Sequence, residues 1–277
     1  MLELIFQQNS VLLAAGIFVG MALAIEFGYR MGKPIQVRES ETTRTQINAI
    51  QGSLLGFLAL ILGFTLSLSL QRYDNRSEAV VDEANAIGTA WLRAQLLPDS
   101  VRSQVQDGLR KHVELRVRGA SIDLAHESDR DTVLSETNQN LNTVWVLALQ
   151  AAAEKPDVVI SGLFIQALND MIDSYGRRDA ALARHVPYEI LFLLFATFVL
   201  TGCVVGYAAG VAGHRPSVTT YVLVVLIVVL SFVILDLDRP RRGMIRIDQS
   251  SLVDLGAAID SARDATDDTL RAVIGRP

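Results

Sequence analysis

The sequence predicts an all-α integral membrane protein: four transmembrane helices in two hairpins, with a helical-bundle insert between the second and third. Three observations carry this. Residues 4–25, 45–71, 190–213 and 216–235 contain no Asp, Glu, Lys, Arg or His, and about 20 apolar residues as a helix cross a hydrocarbon core. Between the second and third of these stretches lies a polar segment of about 115 residues whose apolar positions recur at helical steps. No strand-like alternation and no Gly-rich phosphate loop occurs anywhere. Half of the 277 residues are hydrophobic and 20% are charged, with a mean hydropathy of +0.31. A single cysteine excludes an internal disulfide framework. A net charge of −5 argues against a nucleic-acid partner, which requires a concentrated basic face. Only Lys33, Lys111 and Lys155 are lysine among 25 basic residues, a bias that fits a GC-rich bacterial genome.

The first span covers about residues 10–28. Ala22-Leu-Ala24 imitates a signal-peptidase site, but the leader holds Glu3 and no basic residue, so a retained helix fits better than a cleaved signal. The second span, about 50–71, is less uniformly apolar. Ser53, Gly56, Leu60, Phe64, Ser67 and Gln71 follow three- and four-residue steps and share one face. That face is small and polar apart from Leu60 and Phe64. Leu58, Ile61, Leu62, Leu66 and Leu68 lie opposite, suited to lipid or to packed neighbours. Polar membrane faces line either a cavity or a closely packed interface, and periodicity leaves both open.

Spans three and four, about 188–211 and 217–235, form a hairpin. Gly202, Gly206 and Gly210 make a small-residue stripe on the first, and Gly213-His-Arg-Pro216 is a breaker-rich turn. The domains are therefore an N-terminal hairpin at 1–72, an insert at 73–187, a C-terminal hairpin at 188–238 and a tail at 239–277. Four insert helices are expected. The first carries Val80, Ala84, Ile87, Trp91 and Ala94 on one face and stops at Pro98. The second steps through Val101, Val105, Leu109, Val113 and Val117, followed by a charged loop over 119–131. The third carries Leu134, Leu141, Trp145, Ala148 and Ala152, closed at Lys155-Pro156. The fourth carries Phe164, Leu168, Met171 and Tyr175. No breaker separates Tyr73 from the second span, so that helix is expected to continue into the insert. Pro187 is expected to kink the passage into span three. The tail has a short amphipathic stretch through Leu252, Leu255 and Ile259, which either docks on the insert or stays disordered.

Four spans put both termini and the insert on one side of the membrane. Nine arginines (72, 76, 177, 178, 184, 239, 241, 242 and 246) flank the spans there, against Arg30, Lys33, Arg38, Arg44 and Arg215 on the other. The excess places termini and insert in the cytoplasm of a bacterial inner membrane, although four of the five opposing charges follow the first span.

Catalytic chemistry finds no purchase, so the chain is not read as an enzyme. His112, His126, His185 and His214 are scattered and form no two-histidine metal pair, Cys203 sits among apolar neighbours, and no cofactor motif occurs. Asp236 and Asp238 offer hard oxygens for a divalent cation, but the arginines beside them favour an ion-pair corner. Glu83 and Asn85 read as polar contacts within or between bundles, with Gly88 allowing close approach.

The run from Leu62-Gly-Phe64 to Arg72-Tyr73 resembles the second-helix signature of bestrophins. The wider pattern is similar to the bacterial bestrophin-like family: Arg72-Tyr-Asp-Asn-Arg76, Glu83-Ala-Asn-Ala-Ile-Gly-Thr-Ala-Trp-Leu-Arg93, Leu97-Pro98, Met171-Ile-Asp173 and Asp236-Leu-Asp-Arg-Pro-Arg-Arg-Gly243. The resemblance implies a homo-oligomeric channel for small anions such as chloride, pentameric in bestrophins, with second helices around the axis. Phe64 matches a neck residue of that family, and Leu60 lies one turn earlier on the same face. Gly56 departs from the bulky residue expected there, and the acidic calcium-clasp run is unmatched. Rings of Leu60 and Phe64 are expected to gate by dewetting. Ser53, Gly56, Ser67 and Gln71 line the rest, and Arg72 and Arg76 attract anions at the cytoplasmic exit. The bland reading of Arg72 is an interfacial anchor. The alternative function is a non-conducting sensor or scaffold whose insert binds a partner.

Overall fold

The computed structural model describes residues 10–35, 41–122, 127–154, 158–239 and 243–274. Glu3, Arg38, residues 123–126 of the expected charged loop, the Lys155-Pro156 break, and Pro240, Arg241 and Arg242 lie outside them. The described residues form helices α1 (Ser10–Gly32), α2 (Glu41–Ala94), α3 (Asp99–Ser121), α4 (Glu127–Glu154), α5 (Val158–Ala183), α6 (Tyr188–Ala212), α7 (Val218–Leu237) and α8 (Ser250–Ile274), with a short 3₁₀ turn at Lys33–Ile35. Four helices are long and apolar enough to cross a membrane. The chain divides into two compact units, residues 1–73 with 185–246 and residues 74–184 with 247–277.

Helix limits differ from the sequence expectation where hydropathy is a poor guide. α2 starts at Glu41 rather than near residue 50 because its first turns are polar yet helix-competent. As expected, it runs on without a break to Ala94. Pro187 does more than kink the chain: residues 184–187 leave helical geometry altogether, and Pro187 then caps α6. α3 extends through Ser121 and α4 begins at Glu127, so the loop expected over 119–131 is much shorter.

In the first unit, Met21 and Ile25 of α1, Leu58, Ile61 and Leu62 of α2, Leu194 and Phe198 of α6, and Val224, Ile227 and Ile234 of α7 form one apolar core. The closest backbone approach joins α1 to α6, helices assigned by sequence to different hairpins. Glycine makes it possible. A Cβ on Gly206 would lie 1.9 Å from the Ile25 carbonyl oxygen, and one on Gly28 would lie 2.0 Å from that of Cys203. The stripe of Gly202, Gly206 and Gly210 therefore meets α1. Replacing Gly206 by Leu is expected to lower stability by about 3 kcal/mol through forced separation of these backbones. Gly16→Ala, where an added Cβ meets nothing within 4 Å, should leave the melting transition of the detergent-solubilised protein unchanged. α6 ends on Gly213, whose φ of 81° is left-handed. Its N–H donates to the Gly210 carbonyl and the His214 N–H to that of Ala209, closing the last turn before Pro216.

The second unit contains the Asp74–Ala94 stretch of α2 together with α3, α4, α5 and α8. Val80, Ala84, Ile87, Trp91 and Ala94 are buried, as are Val101, Val105, Leu109 and Val113 of α3 and Phe164, Leu168 and Met171 of α5. α4 is rotated from the expected register. Leu134 is exposed, while Val133, Thr137, Leu141, Val144, Ala148 and Ala151 are buried. The bulky residues misled the periodicity because the packed seam uses small side chains: Gly108 lies against Val144, and Asn140 Nδ2 donates to the Gly108 carbonyl over 2.9 Å. α8 packs on α3 through Leu252 and Ile259, with Arg263 Nη1 2.8 Å from Asp107.

Candidate functional site

The face of α2 singled out by periodicity is the one the single chain leaves open. Ser53, Gly56, Leu60, Phe64, Ser67 and Gln71 are all exposed, Leu60 at 54% and Phe64 at 64%. The opposite side holds Leu58, Ile61, Leu62 and Thr65, all buried, with the Thr65 hydroxyl donating to the Ile61 carbonyl over 2.7 Å. An added Cβ at Gly52, Gly56 or Gly63 would meet nothing within 4 Å. Among the described residues, the small residues of this face therefore serve no helix contact. Two bulky apolar side chains, one turn apart, stand on a surface otherwise small and polar. Across a span such a surface suits water better than acyl chains.

At the end of the span Arg72 is half-buried and Arg76 is buried, at 1% exposure. Arg76 Nε donates to the Ala181 carbonyl over 3.2 Å and its Nη2 to the Arg184 carbonyl. These carbonyls stand at the end of α5 and just past it, where intrahelical donors run out. The expected exit cation is thus a clamp on the C-terminus of α5. Of the expected Asp236–Gly243 corner, Arg241 and Arg242 lie outside the described residues, and His185 Nδ1 stands 3.4 Å from Asp238 Oδ2. Both oxygens of Asp236 accept main-chain N–H groups, from Met244 at 3.1 Å and Ile245 at 2.8 Å. Asp238 Oδ1 accepts the Val186 N–H at 3.0 Å. A Cβ on Gly243 would lie 2.7 Å from the Asp236 carbonyl oxygen. The two aspartates thus hold a tight backbone turn. Among the described residues, no three His, Cys, Asp or Glu side chains gather as metal ligands.

A buried charge cluster lies within the second unit. Glu83 is fully buried, with Oε1 accepting from Arg116 Nε at 2.6 Å and Oε2 accepting from Arg178 Nη1. Arg178 Nη2 also donates to Gln249 Oε1 at 2.6 Å, and the Arg116 guanidinium lies 4.5 Å from the Tyr175 ring centroid. Burial alone would raise the Glu83 pKa; attraction and hydrogen bonds from Arg116 and Arg178 outweigh it and hold the carboxyl below its usual range. His112, also fully buried, has no hydrogen-bond partner at either ring nitrogen among the described residues. Burial, supported by the positive charge of Arg116 and Arg178 and opposed by Glu83, pushes its pKa down to about 4. Periodicity marked Glu83 as an internal polar contact but did not reveal its partners, which lie 33 and 95 residues away. Asn85, expected to share that role, is exposed.

Helices, a glycine-tight membrane core and a separate helical unit define a polytopic α-helical membrane protein. The chain belongs to the Bestrophin-like family, whose domain model matches residues 16–252. Its fold is similar to that of a bacterial Bestrophin homolog from Klebsiella pneumoniae. Two point variants of that protein align with TM-scores of 0.61 and 0.59 at 15% and 17% identity, each covering 91% of this chain and 97% or 98% of its own. A further solved membrane protein variant aligns with a TM-score of 0.59 at 17% identity, over 88% of this chain and 97% of that one. No curated protein matches the sequence significantly.

Proposed function

We propose that the protein is a subunit of a homo-oligomeric ion channel of the bacterial inner membrane, five copies placing the open face of α2 around a central axis. The observation that carries this reading is the exposure of Leu60 and Phe64 on a face whose other members are Ser53, Gly56, Ser67 and Gln71. Assembled around an axis, Leu60 and Phe64 form two adjacent apolar rings, a neck that conducts when wet and closes when dry. Small residues above and below leave room for water. Termini and helical unit lie in the cytoplasm by the excess of flanking arginines.

Small anions such as chloride are the permeant species implied by bestrophin likeness, by the absence of carboxylates between residues 53 and 71, and by Arg72. Arg76, the other arginine expected at the exit, is occupied by the carbonyls of Ala181 and Arg184 and does not add to that choice. A map of the purified oligomer in lipid tests the channel reading: Phe64 is expected at the symmetry axis. Phe64 on the outer perimeter, with no current through bilayers containing the folded oligomer, would instead favour the non-conducting scaffold.

A further inference from the structure

Beside its open face, α2 carries a large side chain on one flank and a depression on the other. Each residue turns the helix by about 100°. Measured from Leu60, Phe57 lies about 60° to one side, and Gly52, Gly56, Ala59 and Gly63 lie about 40–100° to the other. All five are exposed, Phe57 at 49%. A Cβ on any of the three glycines would meet nothing within 4 Å, so the depression is unfilled among the described residues. Beside Ala59 and Gly63 it widens into an apolar groove of about 300 Å³, also lined by Leu226 and Leu230 of α7.

The two flanks fit each other. Where parallel helices interlock, one side chain enters a hole formed by four residues of the facing helix. Gly52, Gly56, Ala59 and Gly63 form such a quartet, and its midpoint along α2 falls at the level of Phe57. Rotation about an axis along the membrane normal keeps every residue at its own depth. A side chain therefore seats in the next copy only if the chain holds its hole at the same depth, and Phe57 meets that condition. With Leu60 directed at the axis, one flank of α2 faces the preceding copy and the other the following one. One presents the phenyl ring and the other the hole, the arrangement that a head-to-tail contact needs to close into a ring. An acyl chain lying in the groove requires neither the equal depth nor the ring on the opposite flank.

From this match we infer that a second copy of this chain covers the α2 groove, with Phe57 of one subunit seated among Gly52, Gly56, Ala59 and Gly63 of the next. The inference rests on the channel reading, in which α2 turns its open face to a central axis, and it assigns the seam between subunits. Apolar helices gain nothing in lipid from hydrophobicity alone. Their association depends on close packing, which small residues opposite a large one supply.

The test is disulfide trapping in lipid vesicles, using the full chain with its single cysteine replaced, Cys203→Ala. With Phe57→Cys and Ala59→Cys in every copy, mild oxidation is expected to give a ladder of linked copies up to the complete ring. Either substitution alone gives no ladder, because a head-to-tail contact never brings identical residues together. Phe57→Ala trims an exposed side chain and leaves no cavity within the subunit. It should raise the protein concentration at which the oligomer half-dissociates in detergent about tenfold. An oligomer that forms no ladder overturns the seam and leaves the channel standing. So does linkage by Phe57→Cys alone as strong as that of the pair, or a half-dissociation unmoved by Phe57→Ala. A folded chain that stays monomeric in lipid removes the channel and the seam together.

Discussion

Phe64→Ala is expected to raise the resting current of the reconstituted protein at least several-fold. The effect follows from the solvent physics of a narrow apolar ring. Water leaves a constriction when the cost of confining it between apolar walls exceeds what its remaining hydrogen bonds return, and ions without hydration water do not pass. Phe64 is 64% exposed in the single chain, so its ring is not wedged into the subunit's core, and truncation leaves no cavity there. The side chain is therefore removed from the open face with little effect on folding. Phe64→Leu, which keeps an apolar side chain of intermediate size, should sit between wild type and Ala. Leu60→Ala should act in the same direction, and the double variant should leak most. Single-channel recording checks the order. A Phe64→Ala current equal to wild type would place the constriction elsewhere.

Glu83→Gln carries the largest expected effect on stability. The substitution keeps the shape of the side chain but strips the counter-charge from two guanidiniums, Arg116 at 11% and Arg178 at 3% side-chain exposure. Breaking a buried pair by removing one partner costs about 3–5 kcal/mol, mostly because the remaining charge has no compensation. For a unit of this size that lowers the melting temperature by roughly 10 °C. Pairing Glu83→Gln with Arg178→Met should restore part of the loss, since one stranded charge is then gone. A variant melting within a degree or two of wild type would show that water reaches the cluster.

The same cluster sets an acid limit. His112 binds its proton with a pKa of about 4 in the folded protein and near 6.5 when unfolded. Between these values the unfolded chain holds more protons, so stability falls as pH drops from about 6.5 to about 4. The full loss is about 3 kcal/mol at the lower end. Glu83, with its pKa lowered by Arg116 and Arg178, works in the same direction. Its contribution is complete above the ordinary carboxylate range and is lost as pH falls through the folded value. His112→Phe should flatten the upper part of this slope while leaving the Glu83 part in place. Chemical denaturation across that pH range reads both.

Much of this molecule was legible in its linear order. Apolar length announced four spans, because a hydrocarbon core admits little else. The unbroken passage after Tyr73 announced that the second helix runs on, and a three- and four-residue rhythm marked the side of that helix left without a partner. The glycine stripe of 202, 206 and 210 was readable as a contact, though not as a contact with α1. Bulky residues drew the eye in α4, where Gly108 and Asn140 set the true seam, so the expected register was rotated.

Composition and spacing by themselves determined the membrane class, the helices and the open face of α2, since each depends on local hydropathy and on the fixed pitch of a helix. Tertiary structure alone decided what the charges do. Arg76 and Arg178 look alike as letters near a span, yet one caps a helix end through carbonyls and the other is locked to a carboxylate 95 residues away. Asp236 holds the main-chain amides of Met244 and Ile245 with both carboxylate oxygens. A charge takes its role from the dielectric and the partners around it, and those are assembled only when distant segments meet.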